Sequence, residues 1–206
     1  PATDYLLARP RHEADLGLTN VPLDRDGVVR RFAPALYGEG DPRLSFAAAL
    51  AQKAVPDAPG LAGINDRTAL APRPIPFAGP PGTFAPVSFA RLLAPDALSD
   101  PQVQALAGKI VILGIDIHGA HDRLASPYSL PLFGAPREFM PGPEIHANII
   151  EALLAGRSLN PVGNLAAAAA WLPFLALCSL ACARLGPGRS ALAGGGLGLA
   201  AFGLGY

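Results

Sequence analysis

The clearest soluble element in the hydrophobic pattern is an amphipathic helix over residues 143–156. Ile145, Ile149, Ile150, Leu153 and Leu154 recur at helical spacing and form one apolar stripe. Pro143 suits a first helical turn, and Gly156 supplies the stop. We expect this stripe to pack on the core of the domain.

Two shorter helices and one strand accompany it. Residues 45–54 predict a helix that Ser45 caps and Pro56 ends, and a further short helix begins at Ser88. After Asp100-Pro101 and Gly108, residues 109–116 form a continuous apolar run. Such runs are typical of strands that are buried on both faces of an α/β sheet. The sequence therefore predicts an α/β fold with a mixed or parallel sheet flanked by helices.

The last fifty residues follow a different pattern. From Leu165 to Ala183 only Ser179 is plainly polar, and this length of apolar helix crosses a bilayer. A second apolar run covers 191–206, and the intervening turn carries Arg184 and Arg189. Basic loops favour the cytoplasmic side. We expect a first membrane helix at 164–184, a cytoplasmic loop at 185–190, a second span at 191–206, and an extracytoplasmic domain at 1–162.

Charge supports this division. All sixteen acidic residues lie at or before Glu151, and fourteen of the sixteen basic residues lie at or before Arg157. The first 157 residues thus carry 14 − 16 = −2, whereas the rest is almost uncharged. This balance gives no reason to expect nucleic acid as a partner. Because the chain lacks an initiator Met and stops inside an apolar run, we interpret it as a fragment at both ends.

Potential ligand-binding side chains concentrate in the loop after the predicted strand. Asp116, His118, His121 and Asp122 fall within seven residues and precede Arg123. Ligand crevices of α/β sheets lie beyond the carboxyl ends of strands, so this loop is a candidate binding site. Imidazoles with a carboxylate also suit a transition metal, which leaves His118, His121 and Asp122 as a possible metal set. A plain structural loop is the third interpretation.

Two further pairs are candidates. Glu144 and His146 open the predicted helix and could join the same site, although the helix dipole and a structural hydrogen bond account for them equally well. Arg30 and Arg31 could bind an anionic ligand, but ion pairing with Asp24 or Asp26 across the preceding turn is the simpler interpretation. No serine lies in a hydrolase setting, so we expect no catalytic residue and no cofactor in this chain.

Several motifs in order resemble a known family. They are 17–31 around Asp24-Arg-Asp-Gly27, 44–51, Gly108-Lys-Ile-Val-Ile-Leu-Gly114, Asp122 with Ser126-Pro127, Pro141-Gly-Pro-Glu-Ile-His-Ala-Asn148, and Leu154-Ala-Gly-Arg157. Together these resemble the second type of CHASE domain, an extracellular sensory domain of bacterial cyclases and histidine kinases. The resemblance spans about residues 15 to 162 and looks like the C-terminal half to two-thirds of such a domain.

The resemblance implies a sensor of a small molecule or another extracellular signal. About three membrane helices would follow, and then a cytoplasmic adenylate or guanylate cyclase, histidine kinase or Ser/Thr kinase. Such receptors commonly act as dimers, so we expect a homodimer in the bacterial inner membrane. Two alternatives remain open at this point: a metal-binding protein or metalloenzyme built on the His118/His121 loop, and a purely structural membrane anchor.

Overall fold

The structure is a computed structural model that describes residues 16–36, 43–64, 71–115, 122–129, 138–159, 164–184 and 194–196. It divides into two compact units, Pro1–Leu159 and Asn160–Tyr206. Each unit is described by itself below.

The sheets of the first unit are small. Its strands are β1 (Arg31–Phe32), β2 (Ala35–Leu36), β3 (Arg43–Leu44), β4 (Arg73–Pro74), β5 (Arg123–Leu124) and β6 (Met140–Pro141). Within the described residues they pair as β1–β4, β2–β3 and β5–β6, all antiparallel. Parallel contacts are limited there to two isolated bridges, Leu18 with Ser45 and Val28 with Ala125. The mixed α/β class is confirmed. The sequence predicts a single mixed or parallel sheet flanked by helices, whereas the described strands form three separate antiparallel pairs.

Helices form the core of the first unit. They are α1 (Phe46–Ala54), α2 (Phe89–Leu92), α3 (Pro101–Gln104) and α4 (Gly142–Ala155), with 3-10 turns at Pro59–Leu61, Ala97–Ser99 and Pro127–Ser129. The Ser45 side chain accepts a hydrogen bond from the Ala48 N–H and caps α1. Gly156 ends α4 in the left-handed conformation, with φ of 65°. These helices confirm the predictions from the apolar spacing.

The core lies between α1 and α4. The alanine face of α1 (Ala47, Ala48 and Ala51) is buried, and so are Ile145 and Ile149 of α4. Small alanines let the two helices approach closely. The 3-10 turn at Pro59–Leu61 also approaches α4 closely, because a Cβ on Gly60 would lie 2.4 Å from the Leu153 carbonyl oxygen. Only a glycine fits at that contact.

The predicted strand at 109–116 is wrong over the part that the structure describes. Residues 109–115 are in no strand, and Val111, Leu113 and Ile115 are 53, 73 and 62 % exposed. Ile112 alone of this stretch packs against the core. An apolar run becomes a central strand only when neighbouring strands and covering layers surround it, and hydrophobic periodicity cannot report whether they are present.

The second unit contains helix α5 (Asn164–Arg184), which includes Pro173. The helix has the same bounds as the proposed first span. Side chains are described at 169, 171–180, 183 and 184. Among the residues that the structure describes, no helix was found with the length and apolar character that crossing a membrane requires. Of the predicted second span at 191–206, residues 194–196 are described and helical, and the loop at 185–190 lies outside the described residues.

Candidate functional site

The first turn of α4 is where several of the predicted site residues meet. Pairing of β5 with β6 brings Arg123 opposite Pro141, immediately before the helix. The Gly142 N–H donates to the Asp122 carbonyl oxygen at 2.8 Å. A Cβ on Gly142 would lie 2.2 Å from Asp122 Oδ1, so the carboxylate rests against the start of the helix. A negative charge at a helix N-terminus is stabilising.

His146 lies one turn further along α4 and is 9 % exposed. Its ring meets the Phe46 ring edge-on, with centroids 5.2 Å apart. Burial lowers the pKa of His146, while the charge of Asp122 and a hydrogen bond to the Thr19 backbone oppose that shift. Nδ1 is buried and has no hydrogen-bond partner among the described residues. His146 is therefore a neutral histidine of the α1–α4 contact near neutral pH.

Glu144 is nearly buried, and its carboxylate is engaged by a loop of the same unit. Its Oε1 accepts hydrogen bonds from the Gly82 N–H at 2.8 Å and the Phe84 N–H at 3.2 Å, and its Oε2 lies 3.0 Å from the Gly82 nitrogen. The helix-dipole interpretation thus gives only part of its role. Glu144 holds the proline-rich loop (residues 72–86) against α4 and has a structural function.

Asn148 continues the same clamp one turn later and was not predicted. It is fully buried, its Oδ1 accepts from the Ala78 N–H at 2.8 Å, and its Nδ2 donates to the Glu144 carbonyl oxygen at 2.9 Å. We call Glu144 and Asn148 the loop clamp. The spacing of Glu144 and Asn148 could have predicted this pair, because two polar side chains four residues apart on a buried helix face both need hydrogen-bond partners.

Arg30 is committed to the turn that precedes β1. Its guanidinium contacts Asp24 Oδ2 at 3.0 Å, and Asp26 Oδ1 and Oδ2 at 2.9 and 2.8 Å. The Arg30 hydrogen bond lowers the pKa of Asp26 to about 2. This arrangement confirms the ion-pair interpretation and leaves no support for an anion site at Arg30. Arg31 is exposed on β1, opposite Pro74.

The remaining candidates divide between described and undescribed residues. Asp122 is exposed, and the Arg123 guanidinium donates to the Phe139 carbonyl oxygen at 3.1 Å. Asp116, His118 and His121 lie outside the described residues. Within the described part of the chain, no three His, Cys, Asp or Glu side chains are grouped so that they could hold a metal ion.

Asp122 offers an exposed carboxylate at the start of α4, and it directly follows His121 in sequence. Glu144 and His146 lie behind it on the helix, where they maintain packing. The charge of Asp122 acts on His146, whereas Arg30 is held by its own turn.

Comparison with known proteins gives one finding. The sequence model of the CHASE2 domain matches residues 3–182. The match is wider than the motifs alone suggested and ends inside α5. Neither a curated protein nor a solved structure matches the chain.

Proposed function

The chain belongs to the CHASE2 domain family, and we propose that residues 1–162 are the extracytoplasmic ligand-sensing module of a bacterial transmembrane receptor. The match over residues 3–182 carries this proposal, because CHASE2 is a family of sensory domains. The module controls a cytoplasmic output domain: an adenylate or guanylate cyclase, a histidine kinase or a Ser/Thr kinase. Reaction chemistry belongs to that output domain, and the sensory module supplies binding.

The ligand contacts the chain around Asp122 in this proposal. Asp122 is exposed at the N-terminus of α4, and Arg123 follows it on β5. The exposed carboxylate suits a small polar molecule that carries donor groups. Asp116, His118 and His121 complete the site from the preceding loop. Metal binding at His118, His121 and Asp122 is the alternative, and metal analysis of the purified chain distinguishes the two.

The test of ligand sensing compares two carboxylates in the complete receptor. Asp122→Asn removes charge at the proposed site, whereas Asp26→Asn removes charge from a turn that Arg30 occupies. The activity of the cyclase or kinase output domain is measured for both variants in cells grown in a medium that activates the unaltered receptor. We expect Asp122→Asn to abolish the response and Asp26→Asn to leave it intact. Equal responses from both variants would contradict the assignment of the site.

The membrane anchor is proposed from the apolar sequence of 164–184 and 191–206. The proposed topology leaves residue 23 outside the cell and residue 190 in the cytoplasm. Single cysteines at Leu23 and Ser190, with Cys178 and Cys182 replaced by serine, test it with a membrane-impermeant maleimide. We expect Leu23→Cys to react in intact cells and Ser190→Cys to react only after lysis. Reaction of Leu23→Cys only after lysis would exclude an extracytoplasmic domain.

Signal transfer in this proposal passes through the connection between α4 and α5, residues 156–164. A receptor of this kind works as a homodimer, in which ligand binding biases two packing states of the helices. Disulfides that join the two connections across the dimer should fix the output in one state. An output that still responds to the signal under such cross-linking would remove this connection from the mechanism.

A further inference from the structure

The ring of His146 lies inside the contact between α1 and α4, with one of its two nitrogens unpartnered. The side chain is nine-tenths buried and meets the Phe46 ring of α1 edge-on. The ring hydrogen-bonds to the Thr19 backbone, whereas Nδ1 is buried and has no partner in the part of the chain that the structure describes. A neutral imidazole carries a single N–H, so the Thr19 contact leaves Nδ1 as the nitrogen with the lone pair.

Protonation of this ring changes what the contact between α1 and α4 has to accommodate. The second proton binds Nδ1 and creates a donor and a positive charge where the described residues offer no acceptor. A buried donor without a partner and a buried charge are both unfavourable. Water can reach Nδ1 only when the two helices move apart. The neutral ring therefore favours the closed contact, and the protonated ring favours an open one.

The groups around His146 leave burial as the dominant influence on its protonation. Neither the Phe46 ring of α1 nor the Thr19 backbone titrates. On the ring's own helix, the Glu144 carboxylate is engaged by the backbone of the proline-rich loop. The charge of Asp122 acts on the ring, but that carboxylate is exposed, and water weakens its effect. Burial accordingly lowers the pKa of His146 in the closed contact despite Asp122.

We propose that His146 is a proton-binding site through which acid outside the cell opens the contact between α1 and α4, as a second input to the sensory module beside its ligand. Histidine is the side chain whose ordinary titration range covers mildly acidic media. The helix that carries His146 ends at Gly156, where the connection proposed for signal transfer begins. A change in the packing of α4 therefore occurs immediately before that connection. The inference rests on the extracytoplasmic location in the proposed function, because only there does the ring experience the pH of the medium.

Amide hydrogen exchange on the whole chain in detergent micelles measures the opening as a function of pH. The amides of Ala49 in α1 and Ile149 in α4 report on the two helices, after division by the intrinsic exchange rate at each pH. The open contact binds a proton that the closed contact disfavours. We therefore expect the opening equilibrium to rise about tenfold for each pH unit below about 6.5, until the lower pKa of the closed contact is reached.

Histidine variants separate this site from general acid sensitivity. His146→Gln keeps a neutral polar side chain at every pH and should remove the acid-dependent rise. His146→Phe keeps a ring against Phe46 and should do the same, which covers the case in which the glutamine variant does not fold. His12→Gln removes another histidine of the chain and is the matched control, which should retain the rise. An equal rise in the folded His146 variants, or no rise in the unaltered chain, would overturn the proposal.

The complete receptor tests whether the opening acts as an input. Acidifying the medium should change the activity of the output domain in cells that carry the unaltered receptor or the His12→Gln variant, and should have no effect in cells that carry His146→Phe. The same acid response in all three would overturn the role of His146 as an input. Exchange on the purified chain needs neither the topology nor the output domain, so failure there is distinguishable from failure of the proposed function. It would leave the ligand response at Asp122 untouched.

Discussion

The loop clamp gives the sharpest test of how the first unit is held together. In Asn148→Ala, the Ala78 N–H loses its acceptor and the fully buried amide is replaced by a methyl group. An N–H left without its partner costs about 1–3 kcal/mol, and about 1.4 kcal/mol corresponds to a tenfold change in an equilibrium. We therefore expect local opening of the proline-rich loop to become about 5- to 150-fold more frequent.

Amide hydrogen exchange on the whole chain measures this opening directly. The Ala78 amide should exchange faster by that factor, and the Gly82 and Phe84 amides should follow, because Asn148 also donates to the carbonyl oxygen of Glu144. Asn20→Ala is the control, since Asn20 is exposed. If exchange at Ala78 and Gly82 changed less than twofold in Asn148→Ala, the clamp would not hold the loop.

Three further outcomes follow from single groups. Burial lowers the pKa of His146 in the folded state below its unfolded value of about 6.5. The stability contributed by the neutral ring is therefore complete above about pH 6.5 and is lost as the pH falls below that value. Acidification should consequently lower Tm less in His146→Phe than in the unaltered chain. Equal acid sensitivity would contradict this role. Gly156→Ala should lower Tm more than Gly27→Ala, because both glycines have positive φ but only Gly156 has neighbouring atoms that a Cβ would meet; equal losses would exclude that contact. In Arg30→Gln, carboxyl NMR titration should find the pKa of Asp26 shifted upward from about 2 towards 3.8, and an unchanged pKa would mean that another group holds it down.

Local sequence signals predicted the helices of the first unit well. The Ser45 cap, the apolar stripe beginning at Ile145 and the left-handed Gly156 each specify a feature within a few residues of themselves. The turn before β1 is equally local, and its sequence predicted the observed ion pairs of Arg30 with Asp24 and Asp26. Short-range hydrogen bonding and helical periodicity are sufficient for these elements.

Long-range contacts were beyond the same reasoning. The partners of Glu144 lie about sixty residues away along the chain, and neither end of that contact carries a spacing pattern that names the other. The apolar run at 109–116 was assigned to a buried strand because its composition is that of one, whereas burial depends on what surrounds it. A sequence pattern reports what a segment can become, and the tertiary neighbours decide whether it does so.

The contacts of the candidate site residues depend on long-range packing in the same way. The start of α4 carries Glu144 and His146, two of the candidates from the sequence, and Asp122 lies against it. The sequence could not separate the exposed carboxylate of Asp122 from the engaged carboxylate of Glu144, because both stand beside helix-forming residues. Their difference lies in the loop at 78–84, which only the folded chain brings to Glu144.

The central claim is that this sensory module controls a cytoplasmic output domain, and the coding sequence beyond Tyr206 tests it most directly. Our account predicts a further apolar span, followed by a cyclase or kinase domain with its own catalytic residues. A stop codon soon after Tyr206, with no cytoplasmic domain, would contradict the receptor and leave the metal-site and anchor alternatives.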